Sequence, residues 1–452
     1  QPAPPPPQRG LHRTRPSAGL DAFFMPDIEG GLRDAQEACG AEFAEGSDVP
    51  ERFGNELEAL AALEEGAALV DRSDSGVLRV TGEDRLRFLH NLTTADVEGL
   101  EPGQGCDTVF VTSAGRTLDL ATLLVQGESV LVICSPGMDA TLEEIMNKYI
   151  FPMDKVEVGN LSGEMAMLTL VGGGAAEMLG GVGLPPSAGA GMYGEHALYK
   201  CGEGPVLFAN SSSLSFPGVT LLMDVDAAGD VWEVLEQAGA VPMGTEAYEC
   251  ARIVNGRPKT GLELTEEHNP YEAALVHTVS LQKGCYLGQE TLARLATYDG
   301  VKEELWGLRF AASVGDPPPP GARVWAADDA ARTGRPLGVV TSSMRLPGGV
   351  AGGPSAALAY LRRKGAPEPG TEVAVLAEGA ESGEPVLATV ADIAYAVRGY
   401  PKQTTANDNE GEAGAAEDAE SAAAEEARKA AKLAAMQARL EAFQRAQKEQ
   451  QQ

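Results

Sequence analysis

Residues 283–290, with the sequence KGCYLGQE, have the types and spacing best suited to chemistry. Gly284 and Gly288 permit turns that a side chain would block, and a helix is predicted to open at Gly288. Cys285 then lies just before a helix N-terminus and two residues from Lys283. Both features lower a thiol pKa and favour the thiolate. Cys285 is therefore either a reactive thiolate or an inert buried thiol in a Gly-rich turn.

Four other polar residues are candidates for binding or catalysis. Asp119 is either an acid–base or orienting group, or a polar residue at a strand edge. Asp96 follows the first predicted helix of the main region, where it either lines a cavity or caps a turn. Arg116 and Arg252 either hold an anionic ligand tail or form ion pairs with neighbouring acids.

The composition limits the classes of partner. The chain has 452 residues, with 35 Lys and Arg against 66 Asp and Glu, a formal net charge of −31. Such an acidic surface argues against a nucleic-acid groove and against adsorption to anionic lipid. The six cysteines are scattered without a CxxC pair, which favours a reducing compartment and no zinc site. No run of 18 apolar residues is present, so we expect no membrane insertion.

The elements that must position these residues fall into four predicted regions. Residues 1–50 are predicted to be a disordered N-terminal arm. Its basic, acid-free start resembles the remnant of an organellar targeting peptide. Alternatively, the arm is a Pro-rich leader that directs the chain to no particular compartment. The chain does not begin with Met, so we expect a fragment or a processed product. Residues 51–298 alternate strand and helix patterns, which predicts an α+β region.

The last two predicted regions are a β-strand domain and a tail. Residues 299–400 are predicted to form a small β-barrel domain from short strands separated by Gly and Pro turns, at 305–310, 323–325, 337–341, 373–376 and 386–390. Residues 401–452 read as an acidic linker followed by a helical tail. Within the predicted helix at 415–450, a narrow apolar stripe is formed by Leu433, Met436, Leu440 and Phe443, so this helix is either solvated or docks on a protein partner.

The eight-residue segment also matches the signature K-G-C-Y-x-G-Q-E of the folate-binding YgfZ/GcvT-like family. The surrounding frame resembles that family in order along the chain, from about residue 55 to residue 400. The similar segments are RFLHNLTTADV at 87–97, FPMDKVEV at 151–158, RIVNGRP at 252–258, GLEL at 261–264, NPYE at 269–272 and GVVTS at 338–342.

The resemblance implies a GcvT-like fold, with mixed α/β domains around a central folate-sized cavity and then a β-barrel. It implies tetrahydrofolate as cofactor, and iron–sulfur cluster assembly or repair as function, with assembly proteins or client enzymes as partners. The implied site combines Cys285 with a cavity rim. The other implied site residues are Lys283, Tyr286, Gln289, Glu290, Asp96, Asp119, Arg252 and Arg116. Residues 269–306 resemble plastid relatives most, which favours a chloroplast over a mitochondrion.

Two departures separate this sequence from the family's aminomethyltransferases. Those enzymes carry a G-G-x-x-D-D segment, of which residues 114–120 keep one acid, Asp119. They also carry a Glu in R-x-E-x-G, where this chain has Val254, and valine cannot pair with two N–H donors of a pterin as a carboxylate does. Three hypotheses follow: a cluster assembly or repair factor, a folate-dependent one-carbon transferase, or a non-catalytic interaction protein that uses its tail helix.

Overall fold

The computed structural model describes residues 31–399, apart from 185–188, 190, 202–203, 312–313, 315, 330–333, 346–354, 365–367 and 378–383. Residues 1–30 of the predicted arm and the whole predicted tail, 401–452, lie outside the described residues. The helices are α1 Leu32–Ala38, α2 Glu56–Glu65, α3 Arg85–Leu92, α4 Asp139–Lys148, α5 Ala175–Gly181, α6 Ala228–Gln237, α7 Thr245–Asn255 and α8 Gln289–Thr297.

Five antiparallel strands form the first large sheet, in the order β5-β6-β7-β4-β8. They are β4 Gly76–Thr81, β5 Gly105–Val111, β6 Thr117–Val125, β7 Ser129–Cys134 and β8 Glu157–Asn160. One face packs on α3 and α4 through a shared apolar cluster. Nearly every residue of β6 and β7 is buried, because the opposite face is covered as well.

The second sheet has six strands in the order β10-β11-β12-β9-β3-β13, and only its β3–β13 pair is parallel. The strands are β3 Ala68–Asp71, β9 Met165–Val171, β10 His196–Cys201, β11 Gly204–Ala209, β12 Gly218–Asp224 and β13 Val241–Met243. Its outer face packs on α1, α5 and α6, while α2 and α7 cover its β3–β13 end. Its inner face contacts the first sheet through Val77, Leu124, Met167 and Leu207. The two sheets therefore form a face-to-face core.

Regular structure is present inside the predicted N-terminal arm. Helix α1 and a small sheet of β1 Glu42–Phe43 and β2 Pro50–Arg52 lie within residues 31–52. The ring of Phe53, just after β2, stacks on Trp232 of α6 at 5.8 Å. Gln36 donates a buried hydrogen bond of 2.7 Å to Asp71. These tertiary contacts correct the expectation of an arm through residue 50, because composition alone does not reveal where a short helix is anchored.

Six strands close the barrel in the order β14-β17-β16-β15-β18-β19, and β19 pairs back onto β14. They are β14 Glu303–Phe310, β15 Arg323–Ala326, β16 Gly338–Arg345, β17 Ser355–Arg362, β18 Glu372–Leu376 and β19 Val386–Ala391. The predicted α+β architecture with a C-terminal barrel is confirmed. Helix α7 joins the barrel to the sheets, since Ile253 packs among Leu305, Leu358 and Ile393.

Candidate functional site

A cavity of about 370 Å³ lies where the two sheets, helix α7 and the barrel meet. Its volume falls within the range of about 300–1,000 Å³ that is typical of small-molecule sites. The lining comes from the end of β3 and the loop after it, from the middle of β6 and the end of β7, from α7 and the loop that follows it, and from Met344 of β16. The cavity therefore draws on all the large elements of the fold.

Arg252 lies on α7 and lines this cavity. Its guanidinium donates hydrogen bonds to other residues of the protein. Its Nε and Nη2 donate to both carboxylate oxygens of Glu249, at 3.0 and 2.8 Å. Its Nη1 donates to Glu263 at 3.1 Å and to the Arg257 carbonyl at 2.7 Å, and Nη2 also reaches the Ser342 hydroxyl at 2.8 Å. The geometry assigns Arg252 to positioning α7 and the barrel.

Glu263 is a buried carboxylate that ties α7, the following loop and the barrel together. It is fully buried and accepts hydrogen bonds from the Lys259 amide at 3.0 Å and from the Thr341 and Ser342 hydroxyls at 2.6 Å each. With Arg252 it forms an ion pair that is shielded from water. The sequence frame included Glu263, but only the tertiary structure shows this role.

Asp119 is fully buried in β6, beside the cavity floor. Its two carboxylate oxygens accept from the Ser135 amide at 2.9 Å and from the Thr260 hydroxyl at 2.5 Å. Burial raises the pKa of Asp119, although these two donors act in the opposite direction. Its neighbour Leu120 lines the cavity. Asp119 thus fixes two loops at the cavity edge.

Val254, the residue at the expected glutamate position, packs against the barrel. It joins the apolar cluster that contains Ile253, Leu305 and Tyr360. The Val254 carbonyl accepts a hydrogen bond of 2.7 Å from Arg309. This position therefore contributes no carboxylate to the cavity.

Four polar or aromatic residues of the cavity lining were not among the residues predicted from the sequence: Arg72, Asp74, Tyr248 and Arg257. Arg72 donates to the Ser213 hydroxyl at 2.6 Å, and its guanidinium lies 5.7 Å from the centre of the Tyr248 ring. The signal for two of them was the polar run 71–74 directly after a buried strand. Arg257 lies inside the 252–258 frame, and its sequence position alone does not show that it lines the cavity.

Lys283 lies away from the cavity, with its ammonium group at the end of α3. The amine donates to the carbonyl oxygens of His90 at 2.5 Å, Thr93 at 2.6 Å and Ala95 at 2.6 Å. It also lies 4.6 Å above the Tyr286 ring. Burial lowers the pKa of Lys283 to about 8. The three carbonyls thus match the three donors of the ammonium and fasten the signature segment to α3.

Cys285 is exposed beside this clamp. Gly288 caps α8 with φ +80°, and a Cβ there would lie 2.7 Å from the Thr112 carbonyl oxygen, so the turn requires glycine. Burial raises the pKa of Tyr286 to about 12. Gln289 and Glu290 open α8. None of residues 283–290 lines the central cavity, so the structure does not bring them together with Arg252.

The two remaining predicted site residues also lie outside the cavity lining. The Asp96 side chain is 55% exposed, with Oδ1 3.3 Å from Nδ1 of His90. Arg116 donates to the Glu267 carbonyl at 2.7 Å and lies 3.6 Å from the Glu272 carboxylate. Asp96 therefore belongs to the surface around Lys283, and Arg116 forms an ion pair with the buried Glu272.

Two further observations concern membranes and metals. Every helix among the described residues is too short or too polar to cross a membrane. In that same part of the chain, no group of three or more His, Cys, Asp or Glu side chains is arranged to hold a metal ion. All six cysteines are free thiols.

Comparison with known proteins places this architecture in a family. A profile of the GCVT N-terminal domain matches residues 32–283. A chloroplastic protein of Arabidopsis thaliana that is described as a transferase is 38% identical over 379 residues, 84% of this chain and 82% of the relative. An aminomethyltransferase of Herpetosiphon aurantiacus is 28% identical over 381 residues, 82% of this chain and 99% of the relative.

The fold agrees with that assignment. The crystal structure of the glycine cleavage system aminomethyltransferase T from Bartonella henselae superposes with a TM-score of 0.68 at 20% identity. The match covers 82% of this chain and 98% of the other. The chain belongs to the GCVT N-terminal domain family and is a transferase-like protein of that family.

Proposed function

We propose that the chain binds a tetrahydrofolate in its central cavity and supports iron–sulfur cluster assembly or repair, as the YgfZ branch of the family implies. Its proposed location is the chloroplast, where the Arabidopsis relative is placed. Its partners are cluster assembly proteins or client enzymes. The proposal does not include a protein partner for residues 415–450, because that segment lies outside the described residues.

The observation that carries folate binding is the polar lining of a ligand-sized cavity. Asp74 lines it and has no carboxylate–cation contact within 4 Å among the described residues. The Ser75 hydroxyl is buried in the same wall and lacks a hydrogen-bond partner in that region. A carboxylate and a hydroxyl suit the N–H donors of a pterin, and the Tyr248 ring offers a stacking surface.

The exposed thiol favours the cluster-related function over plain transfer. Cys285 lies on the surface, where a protein or cluster can reach it, and the Lys283 clamp fixes the backbone beside it. A thiol outside the cavity is not needed for chemistry on a folate inside it. The two sites would therefore act on different partners, a folate in the cavity and a client at Cys285.

Aminomethyl transfer is the second candidate, because aminomethyltransferases are among the relatives. It requires a carboxylate that engages the folate. Asp119 is buried with both oxygens bonded to protein donors, and Val254 faces the barrel. Asp74 is the cavity carboxylate that would have to replace them. These features make transfer the weaker of the two functions.

The test replaces Cys285 with Ala in the host organism, with Cys39→Ala as the matched control. We expect the activities of cluster-containing enzymes in the organelle to fall in the first variant and to stay unchanged in the second. Calorimetry on the purified full chain should show unchanged tetrahydrofolate affinity in both. Unchanged cluster enzymes in Cys285→Ala would overturn the proposal, and methylene transfer from an aminomethyl donor would favour the second candidate.

A further inference from the structure

An open groove of about 480 Å³ runs along helix α3 and shares no lining residue with the central cavity. On α3 the lining extends from Asp84 to Leu92, which spans about 12 Å along the helix axis. The segment 149–154, which follows α4, supplies further lining, and so does Leu287. The groove therefore has the length of about two helical turns, which is enough for successive anchor residues of a bound peptide.

One end of the groove lies beside Cys285. The Leu287 amide donates to the Asn91 carbonyl at 2.9 Å, so the signature segment crosses the C-terminal end of α3. A Cβ on Gly284 would lie 3.7 Å from Nε2 of His90, on the same helix end. Cys285 is exposed and lies two residues before Leu287, so their Cα atoms are within about 7 Å of each other. A partner in the groove is thus within reach of the thiol.

Two large apolar side chains are exposed on the segment that follows α4. Phe151 is 64% exposed and Met153 is 86% exposed, the highest value for a large apolar side chain among the described residues. The Phe151 amide donates to the Asp154 carboxylate at 2.9 Å, and the Asp154 amide donates to the Phe151 carbonyl at 2.9 Å. The Lys155 amide then donates to Asp84 of the groove at 3.0 Å. The turn is thus fixed with both side chains in solvent, which is typical of a protein-interaction surface.

The charged side chains that line the groove are paired with one another. Arg87 Nη2 lies 3.1 Å from the Asp84 carboxylate and 3.8 Å from the Asp154 carboxylate. The rest of the lining is apolar, aromatic or an uncharged amide. The groove itself therefore suits large apolar side chains and does not require a charged ligand.

The Cys285 end of the groove carries negative charge. Asp96 and Glu98 are 55% and 50% exposed, and their oxygens lie 3.3 and 4.0 Å from the ring nitrogens of His90. Burial lowers the pKa of His90, so this ring is neutral at neutral pH. The Lys283 ammonium supplies one positive charge, but its donors are bonded to backbone carbonyls. One negative charge remains among these four groups, in a chain of formal net charge −31, which favours a partner with Lys or Arg there.

We infer that this groove docks a segment of the client protein, with large apolar anchor residues in the groove and Lys or Arg residues against Asp96 and Glu98. The inference rests on the proposed function, in which Cys285 acts on a client, and it adds how that client is recognised. Docking in the groove brings the client to the thiol without occupying the central cavity.

The first test selects phage-displayed random peptides of about 12 residues, long enough to span the groove, on the purified full chain. We expect the enriched peptides to share large apolar residues flanked by Lys or Arg. Synthetic copies, titrated by fluorescence anisotropy, should bind the double variant Phe151→Ser, Met153→Ser at least about 10-fold more weakly. The control Met192→Ser, Leu198→Ser removes side chains of similar exposure, 70% and 55%, and should keep the wild-type affinity. Urea unfolding checks that every variant folds.

The charged end of the groove is tested with the double variant Asp96→Asn, Glu98→Gln. The same peptides should bind this variant more weakly, and their affinity should depend less on salt, because two carboxylates no longer attract the basic residues. An unchanged salt dependence would overturn the assignment of basic residues to this end.

Failure of the inference and failure of the proposed function give different results. Absence of enrichment, or equal affinity of the peptides for the wild type and the Phe151→Ser, Met153→Ser variant, would overturn the inference. So would dimerisation of the wild type in sedimentation velocity that this variant abolishes, because the occupant would then be a second copy.

In the host organism, Phe151→Ser, Met153→Ser should lower the activities of cluster-containing enzymes as Cys285→Ala does, with unchanged tetrahydrofolate affinity. Full activities in the groove variant, with reduced activities in Cys285→Ala, would overturn the inference and leave the proposed function intact. Full activities in Cys285→Ala would overturn the proposed function, and the peptide titration alone would then decide whether the groove binds protein segments.

Discussion

Replacing Lys283 with Met tests whether the signature segment is held by the ammonium group. Methionine fills a similar volume but offers no N–H donor. The carbonyls of His90, Thr93 and Ala95 would each lose a bond of 2.5–2.6 Å. At neutral pH the lysine is mainly charged, because its pKa is lowered only to about 8, so all three donors are present in the wild type.

The size of the effect follows from two opposing contributions. Each buried acceptor left without a donor costs about 1–3 kcal/mol. The variant no longer buries a charged group, which stabilises it relative to the wild type. The decrease in the pKa of Lys283 from 10.5 to about 8 corresponds to about 3 kcal/mol. Three unpaired carbonyls at about 2 kcal/mol each, less about 3 kcal/mol of recovered burial cost, predict that Lys283→Met lowers the free energy of unfolding by about 3 kcal/mol.

Urea unfolding of the full chain measures this loss, with Lys302→Met, an exposed lysine, as the control. The amides of Leu287 and Ser280 bond to the Asn91 and Thr94 carbonyls at 2.9 Å each, on either side of the clamp. Both amides should exchange with deuterium faster in Lys283→Met. A loss below about 1 kcal/mol, with both amides still protected, would refute the clamp.

Three further changes have defined outcomes. Burial raises the pKa of Asp119, so its contribution to stability is present below the unfolded pKa and is lost as the pH rises through the folded pKa. Asp119→Asn should therefore gain stability relative to wild type as the pH rises above the unfolded pKa of about 4; an equal difference in the free energy of unfolding at about pH 4 and at neutral pH would contradict this. Gly288→Ala should cost about 1–3 kcal/mol, because its Cβ would meet the Thr112 carbonyl, and a neutral result by thermal unfolding would show that the turn relaxes. Glu263→Gln should cost about 3–5 kcal/mol in urea unfolding, because Arg252 loses a buried carboxylate partner.

Local patterns predicted much of the fold because they depend on neighbours in the chain. The alternation at residues 76–82 and the apolar runs at 118–125 and 130–134 are patterns typical of strands, and the structure has β4, β6 and β7 there. Strand β17 was missed, since its sequence SAALAYLR is rich in alanine, which is uncommon in strands. Its alanines are accommodated because the closed barrel leaves little room on its inner side.

The site was harder to predict because its chemistry depends on long-range contacts. The sequence placed Cys285 correctly before α8, yet it could not show that Lys283 donates to three carbonyls at and just after the end of α3. Arg72 and Arg257 are far apart in sequence, and only the tertiary structure brings both to the lining of one cavity.

Tetrahydrofolate titration into wild type, Asp74→Asn and Asp96→Asn tests most directly whether the central cavity is the ligand site. Asp74 lines the cavity, and Asp96 lies on the surface around Lys283. We expect one molecule bound per chain, a 10- to 100-fold weaker Kd in Asp74→Asn and no change in Asp96→Asn. Absence of binding heat in the wild type, or a loss of affinity confined to Asp96→Asn, would contradict the cavity assignment.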